Sequence, residues 1–203
     1  MLRATCVSLF AITLAFPAVA RQSAPTVQAP PVGSALFKAE QQKEFDKAMA
    51  ALDPLIGRWE GPGFVRVAPE QPPTQTQSAW DIRRTFDGRF LRMEFTIRFE
   101  DGTRGHWVGY FSFDVEGKQY RSVWTNAATG RQFQETGRFD EKARALALVS
   151  KQKRGPEERE IEVDSVFTIV DGDRFRVVDT TRDPAAAGGP YVSLEYSVKR
   201  IAR

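Results

Sequence analysis

The chain has 203 residues, with 29 lysines and arginines against 26 aspartates and glutamates and a formal net charge of +3. The two signs are interspersed along its length, which leaves no basic face for nucleic acid. One cysteine and one histidine exclude a disulfide framework and a multi-histidine metal site.

Arg3 is the sole charge before Arg21, and the uncharged run from Ala4 ends in Ala18-Val19-Ala20. That small-x-small ending predicts a secretory signal, residues 1–20, cleaved after Ala20. A membrane anchor is the alternative, but Thr5, Ser8, Thr13 and Pro17 interrupt a run already short of the roughly 20 apolar residues a span needs. Cys6 falls inside the signal, so the mature chain is expected to lack cysteine, to have no stable membrane span and to be periplasmic or secreted. Residues 21–37, rich in Pro, Ala, Gln and Val, have no hydrophobic period and predict a disordered tether. The remaining domain, 38–203, is about 165 residues, enough to bury close to 70% of its unfolded surface without disulfides.

A helix opens the domain. Phe45, Ala48, Met49, Leu52, Leu55 and Ile56 recur at three- and four-residue spacing among Glu40, Gln42, Lys43, Glu44 and Lys47, giving one apolar stripe. From Gly57 the period becomes 2. The clearest strand alternates Leu91, Met93, Phe95, Ile97 and Phe99 with Arg92, Glu94, Thr96 and Arg98. Turn signals at Asp87-Gly88, Asp101-Gly102, Glu116-Gly117, Thr129-Gly130 and Asp171-Gly172 punctuate the segment. Strands are predicted near 57–67, 76–86, 89–99, 105–114, 118–126, 131–139, 144–151, 159–170, 173–182 and 190–200. Short connections force an antiparallel meander. Closing it removes two exposed edges and encloses the apolar face, so the predicted fold is all-β, an up-and-down barrel of about ten strands with one N-terminal helix. Eight strands make an interior just wide enough to fill, so ten should leave a cavity.

At the first strand the chain reads Gly57-Arg58-Trp59-Glu60-Gly61-Pro62-Gly63, followed by Asp87-Gly88-Arg89-Phe90-Leu91, Gly109-Tyr110, Asp114, Gly117, Tyr120 and Trp124. This pattern resembles an exported bacterial family of unknown function with a lipocalin-like (calycin, nitrobindin-related) barrel. The resemblance implies that Trp59 closes the barrel base and that an arginine near the last strand, Arg200 or Arg203, stacks on it. In nitrobindin-like relatives a histidine near the chain end binds haem iron. The last strand here, Tyr191 to Arg200, has none, so no cofactor is expected. His106 shares parity with Val108, Tyr110 and Ser112, opposite Trp107, Phe111 and Phe113, and is expected to face solvent.

Three charged residues fall on otherwise apolar faces: Arg84 in phase with Trp80, Ile82 and Phe86; Glu135 with Phe133 and Phe139; Asp179 with Phe175 and Val177. A buried charge has to be paired or meet a ligand. The cavity candidates are accordingly Arg84, Met93, Phe95, Trp107, Phe111, Trp124, Phe133, Glu135 and Tyr196. Three functions fit this reading. The first is binding of a small apolar or amphipathic ligand. A second is an enzyme using Glu135 as acid or base and Arg84 as anion anchor, aided by Tyr196 or Tyr120. The third is a protein-interaction module, which an apolar patch on the outer wall would favour. No motif with catalytic spacing is present.

Overall fold

The computed structural model describes residues 38–154 and 159–202; the expected signal and tether, and Arg203, lie outside them. The domain begins with helix α1 (Ala39–Ala50), which buries Phe45 and Met49. The predicted stripe does not continue as α-helix to Ile56. Pro54 has no N–H to offer the Ala50 carbonyl, so the chain tightens into a 3-10 turn, Asp53–Leu55, and Leu52 and Leu55 are buried from there.

Ten strands follow: β1 (Gly57–Val65), β2 (Thr74–Thr85), β3 (Phe90–Phe99), β4 (Arg104–Asp114), β5 (Gln119–Asn126), β6 (Gln132–Asp140), β7 (Ala145–Arg154), β8 (Arg159–Ile169), β9 (Arg174–Arg182) and β10 (Tyr191–Ala202). Each pairs with its successor, and β10 returns antiparallel to β1, closing the barrel as predicted. The period-2 pattern turns one face inward on every strand; along β3 Leu91, Met93, Phe95 and Ile97 are all buried. Gly88, Gly102 and Gly130 take positive φ in their turns. At Glu116-Gly117 the left-handed residue is instead Lys118, at φ 48°.

One end of the barrel is filled. There α1 and the 3-10 turn lie over the opening, and Phe45, Met49, Leu52, Leu55, Trp59, Ile82, Leu91, Met93, Phe111 and Phe175 belong to one continuous core. Trp59 donates its indole N–H to the Leu55 carbonyl at 2.9 Å and meets the Phe175 ring edge-on, with centroids 4.9 Å apart. Arg200 lies over the Trp59 ring, its guanidinium carbon 3.9 Å from the ring centroid. Arg203, the other arginine expected there, falls outside the described residues. Among the described residues no helix is long and apolar enough to cross a membrane.

Candidate functional site

The half of the barrel away from α1 is not filled. A cavity of about 360 Å³ occupies it and runs out to the surface at exposed Val67. Its wall is built by strand register. Trp80 on β2, Phe95 on β3 and Trp107 on β4 are direct cross-strand partners, and their rings stack at 4.3 and 4.9 Å between centroids. Trp124 on β5 meets Phe95 edge-on at 5.9 Å and pairs in register with Phe133 on β6. Two glycines make room for this wall. A Cβ at Gly105 would sit 2.3 Å from the Trp107 ring, and one at Gly109 would sit 2.6 Å from the Trp124 ring. Each indole can therefore lie flat on bare backbone.

A polar cluster adjoins the aromatic rings. Glu135 is buried and accepts three hydrogen bonds: from Ser122 Oγ at 2.8 Å and Trp124 Nε1 at 2.8 Å on one oxygen, and from Ser165 Oγ at 3.0 Å on the other. Asp179, on β9, is the register partner of Ser165 and also lines the cavity. Burial raises the Glu135 carboxyl, against the pull of its three donors. Burial and then the neighbouring Glu135 charge push Asp179 up to about 7. A hydrogen bond from Ser165 pulls Asp179 the other way, and burial with the Glu135 charge outweighs it. A β-bulge between Val192 and Leu194 turns both Ser193 and Leu194 to the cavity, where Ser193 accepts from Thr181 Oγ1 at 2.7 Å.

Of the nine predicted candidates, Phe95, Trp107, Trp124, Phe133 and Glu135 line this cavity. Met93, Phe111 and Tyr196 face inward but do not line it. Met93 and Phe111 are fully buried in the filled half, Phe111 edge-on beneath Trp124 at 5.4 Å. Tyr196 is buried against Thr76, their hydroxyls 2.7 Å apart, and burial pushes its phenol up to about 12.

Arg84 does not line this cavity, which corrects the expectation that it serves there as an anion anchor beside Glu135. It sits at the helix end, where its guanidinium donates to Asp53, to the Met49 carbonyl at 2.6 Å and to the Gly88 carbonyl at 3.1 Å. The last strand residues before a turn leave the barrel interior, and α1 supplies carbonyls there. Tyr120, the other proposed helper, also serves the helix by donating to the Ala48 carbonyl at 2.7 Å. The acid, the anion anchor and the tyrosine expected from the sequence are thus not assembled in one place. His106 is on the outer wall as expected, with Nε2 2.9 Å from Glu94.

Ser122, Ser165, Arg66 and Arg154 also belong to the cluster or cavity wall and were not among the candidates. The serines carried a readable signal, because Ser122 is in phase with Tyr120 and Trp124, and Ser165 with Val163 and Phe167. The arginines did not, since both lie at strand ends where alternation stops. Arg154 donates to the Val67 carbonyl and to the Tyr191 hydroxyl, whereas Arg66 Nε is buried without a hydrogen-bond partner among the described residues.

Comparison with known proteins gives the following. No curated protein matches the chain. The solved structure of Rv2717c from M. tuberculosis is similar at a TM-score of 0.59 and 20% identity, covering 75% of this chain and 96% of that one. At that identity the likeness concerns the fold. A protein of unknown function from the DUF3598 family of Nostoc punctiforme matches at 12% identity over 76% of this chain and 99% of its own, with a TM-score of 0.21. The family model described as protein of unknown function (DUF1579) matches residues 45–197, which is the barrel with the second half of α1, and the chain belongs to that family.

Proposed function

We propose that this protein is an exported binding protein that holds a small, mainly apolar or amphipathic molecule, without covalent chemistry, in a lipocalin-like barrel. One observation carries the reading: a cavity of about 360 Å³ with seven aromatic side chains on its wall, Trp80, Phe95, Phe99, Trp107, Trp124, Phe133 and Phe167. Preformed concave sites of a few hundred Å³, mostly apolar with a few converging polar groups, are where small ligands bind. The Gly-x-Trp signature with Arg200 on Trp59 supports the lipocalin-like assignment. Native mass spectrometry of protein purified from its exporting host is expected to show a retained small molecule. Titration with decanol is expected to change the emission of the cavity tryptophans. An unliganded mass together with unchanged emission rejects the reading.

Export rests on the Ala18-Val19-Ala20 pattern after an uncharged run. N-terminal sequencing of the protein recovered outside the cytoplasm is expected to begin at Arg21, and a chain still carrying Met1 overturns it. A protein-interaction role is favoured by one feature of the outer wall, where Phe86 and Tyr110 are exposed with rings 6.2 Å apart and Val123 is the register partner of Tyr110.

A further inference from the structure

The cavity holds two carboxyl groups on an aromatic wall, and the groups that act on them are hydroxyls, an indole N–H and each other. Buried carboxyls in proteins are ordinarily met by a cation. Here the charged and titratable groups around Asp179 are Glu135 from β6 and, from β10, Tyr196, whose phenol is raised in part by the Asp179 charge. Arg66 and Arg154 line the same cavity at its mouth, beside exposed Val67. Arg154 is spent on the Val67 carbonyl and the Tyr191 hydroxyl.

We propose that the ligand is an amphipathic amine, its apolar body against Trp80, Phe95, Trp107 and Trp124 and its protonated nitrogen on Asp179. The inference rests on the cavity-binding reading and adds the headgroup. Aromatic faces attract a cation as well as an apolar body, so the same wall serves both parts of such a molecule. The nitrogen would supply the missing counter-ion. In the empty site Asp179 is partly protonated near neutral pH; arrival of an ammonium group favours the carboxylate, and that proton leaves to solvent. Binding is therefore coupled to release of a proton near neutral pH, because Asp179 stands at about 7.

Three probes with one tail separate the possibilities: decylamine, decanol and decanoate, each used below its micelle concentration and followed by tryptophan emission and calorimetry. Like the lysine ammonium, the decylamine headgroup stays charged up to about pH 10. At about pH 8, where Asp179 is largely ionised, decylamine is expected to bind about tenfold more tightly than decanol, the equivalent of one pKa unit of coupling. At about pH 5.5 the preference should shrink severalfold as Asp179 takes up its proton. In Asp179→Asn it should vanish while decanol binding persists. Calorimetry of the unaltered protein near pH 7, in buffers of different ionisation heat, should show proton release with decylamine and none with decanol. This second measurement does not depend on how well the variant folds. Equal binding of amine and alcohol, a preference that survives in Asp179→Asn, or an absence of proton release overturns the amine and leaves the cavity reading standing. Decanoate binding best would also overturn it, and would move the headgroup to Arg66. If none of the three binds, the cavity reading itself falls.

Discussion

The Arg200 guanidinium lies 3.9 Å above the Trp59 ring while donating to the backbone carbonyls of Ile56, Pro54 and Gly172. One side chain thus joins the last strand, the 3-10 turn and the β8–β9 turn across the closed end of the barrel. Trp59→Ala is expected to cost about 3–5 kcal/mol, the range for removing a buried aromatic. Arg200→Met keeps much of the packing but leaves carbonyls without a donor, for a loss of about 2–3 kcal/mol. Chemical denaturation of the two variants checks both values, and a Trp59→Ala loss below about 1 kcal/mol would mean the base is not closed by this residue.

Arg84 is expected to behave as a helix anchor. Arg84→Met strands the Met49 and Gly88 carbonyls and the Asp53 carboxylate, so stability should fall by about 2–3 kcal/mol while affinity for cavity probes is unchanged. Glu135→Gln should act separately, because its partners are Ser122, Trp124 and Ser165 and none is shared with Arg84. The losses in the double variant are expected to add to within about 0.5 kcal/mol. Strong coupling between them in thermal or denaturant unfolding would place Arg84 back with the cavity.

The raised Asp179 carboxyl makes stability depend on pH with a definite sign. An unfolded aspartate titrates near 3.9, and the folded one near 7. Between those values the folded state holds the extra proton, so the contribution of Asp179 is intact below about pH 4, declines as pH rises to about 7 and is flat above. Cavity water moderates the penalty, and Asp179→Asn is expected to gain about 2–4 kcal/mol on the unaltered protein between about pH 4 and 8. Unfolding midpoints of both proteins across that range check it. Parallel curves would show that Asp179 titrates normally.

Gly109 is expected to matter through Trp124. A methyl group there meets the indole at 2.6 Å, so Gly109→Ala must displace the ring and with it the 2.8 Å bond from Nε1 to Glu135. The expected cost is about 1–3 kcal/mol, typical of overpacking. A blue- or red-shifted Trp124 emission should accompany it, and probe binding should weaken. Unaltered emission with unaltered binding would mean that the wall tolerates the change.

Haemin titration is expected to give no Soret band that depends on His106. The side chain lies on the outer wall beside Glu94, away from the cavity. A band that disappears in His106→Ala would contradict this.

The alternation of Leu91, Met93, Phe95 and Ile97, the Asp-Gly turns and the short connections determine the barrel by themselves, since each is a local rule: side chains reverse face at every residue, and a short loop forces an antiparallel neighbour. The inward placement of Glu135 and Asp179 follows from the same parity. Local rules say nothing of height along the barrel axis, and height is what separates Met93 and Phe111, in the filled half, from Phe95 and Trp107, on the cavity wall. Nor do they show where a strand leaves the interior, which is why Arg84 reads as a cavity residue until α1 is seen to reach it. Strand tilt, the bulge between Val192 and Leu194 and the seat of α1 decide those questions. They arise from closing ten strands at once, when register between distant segments settles which inward side chains meet each other and which are left facing open space.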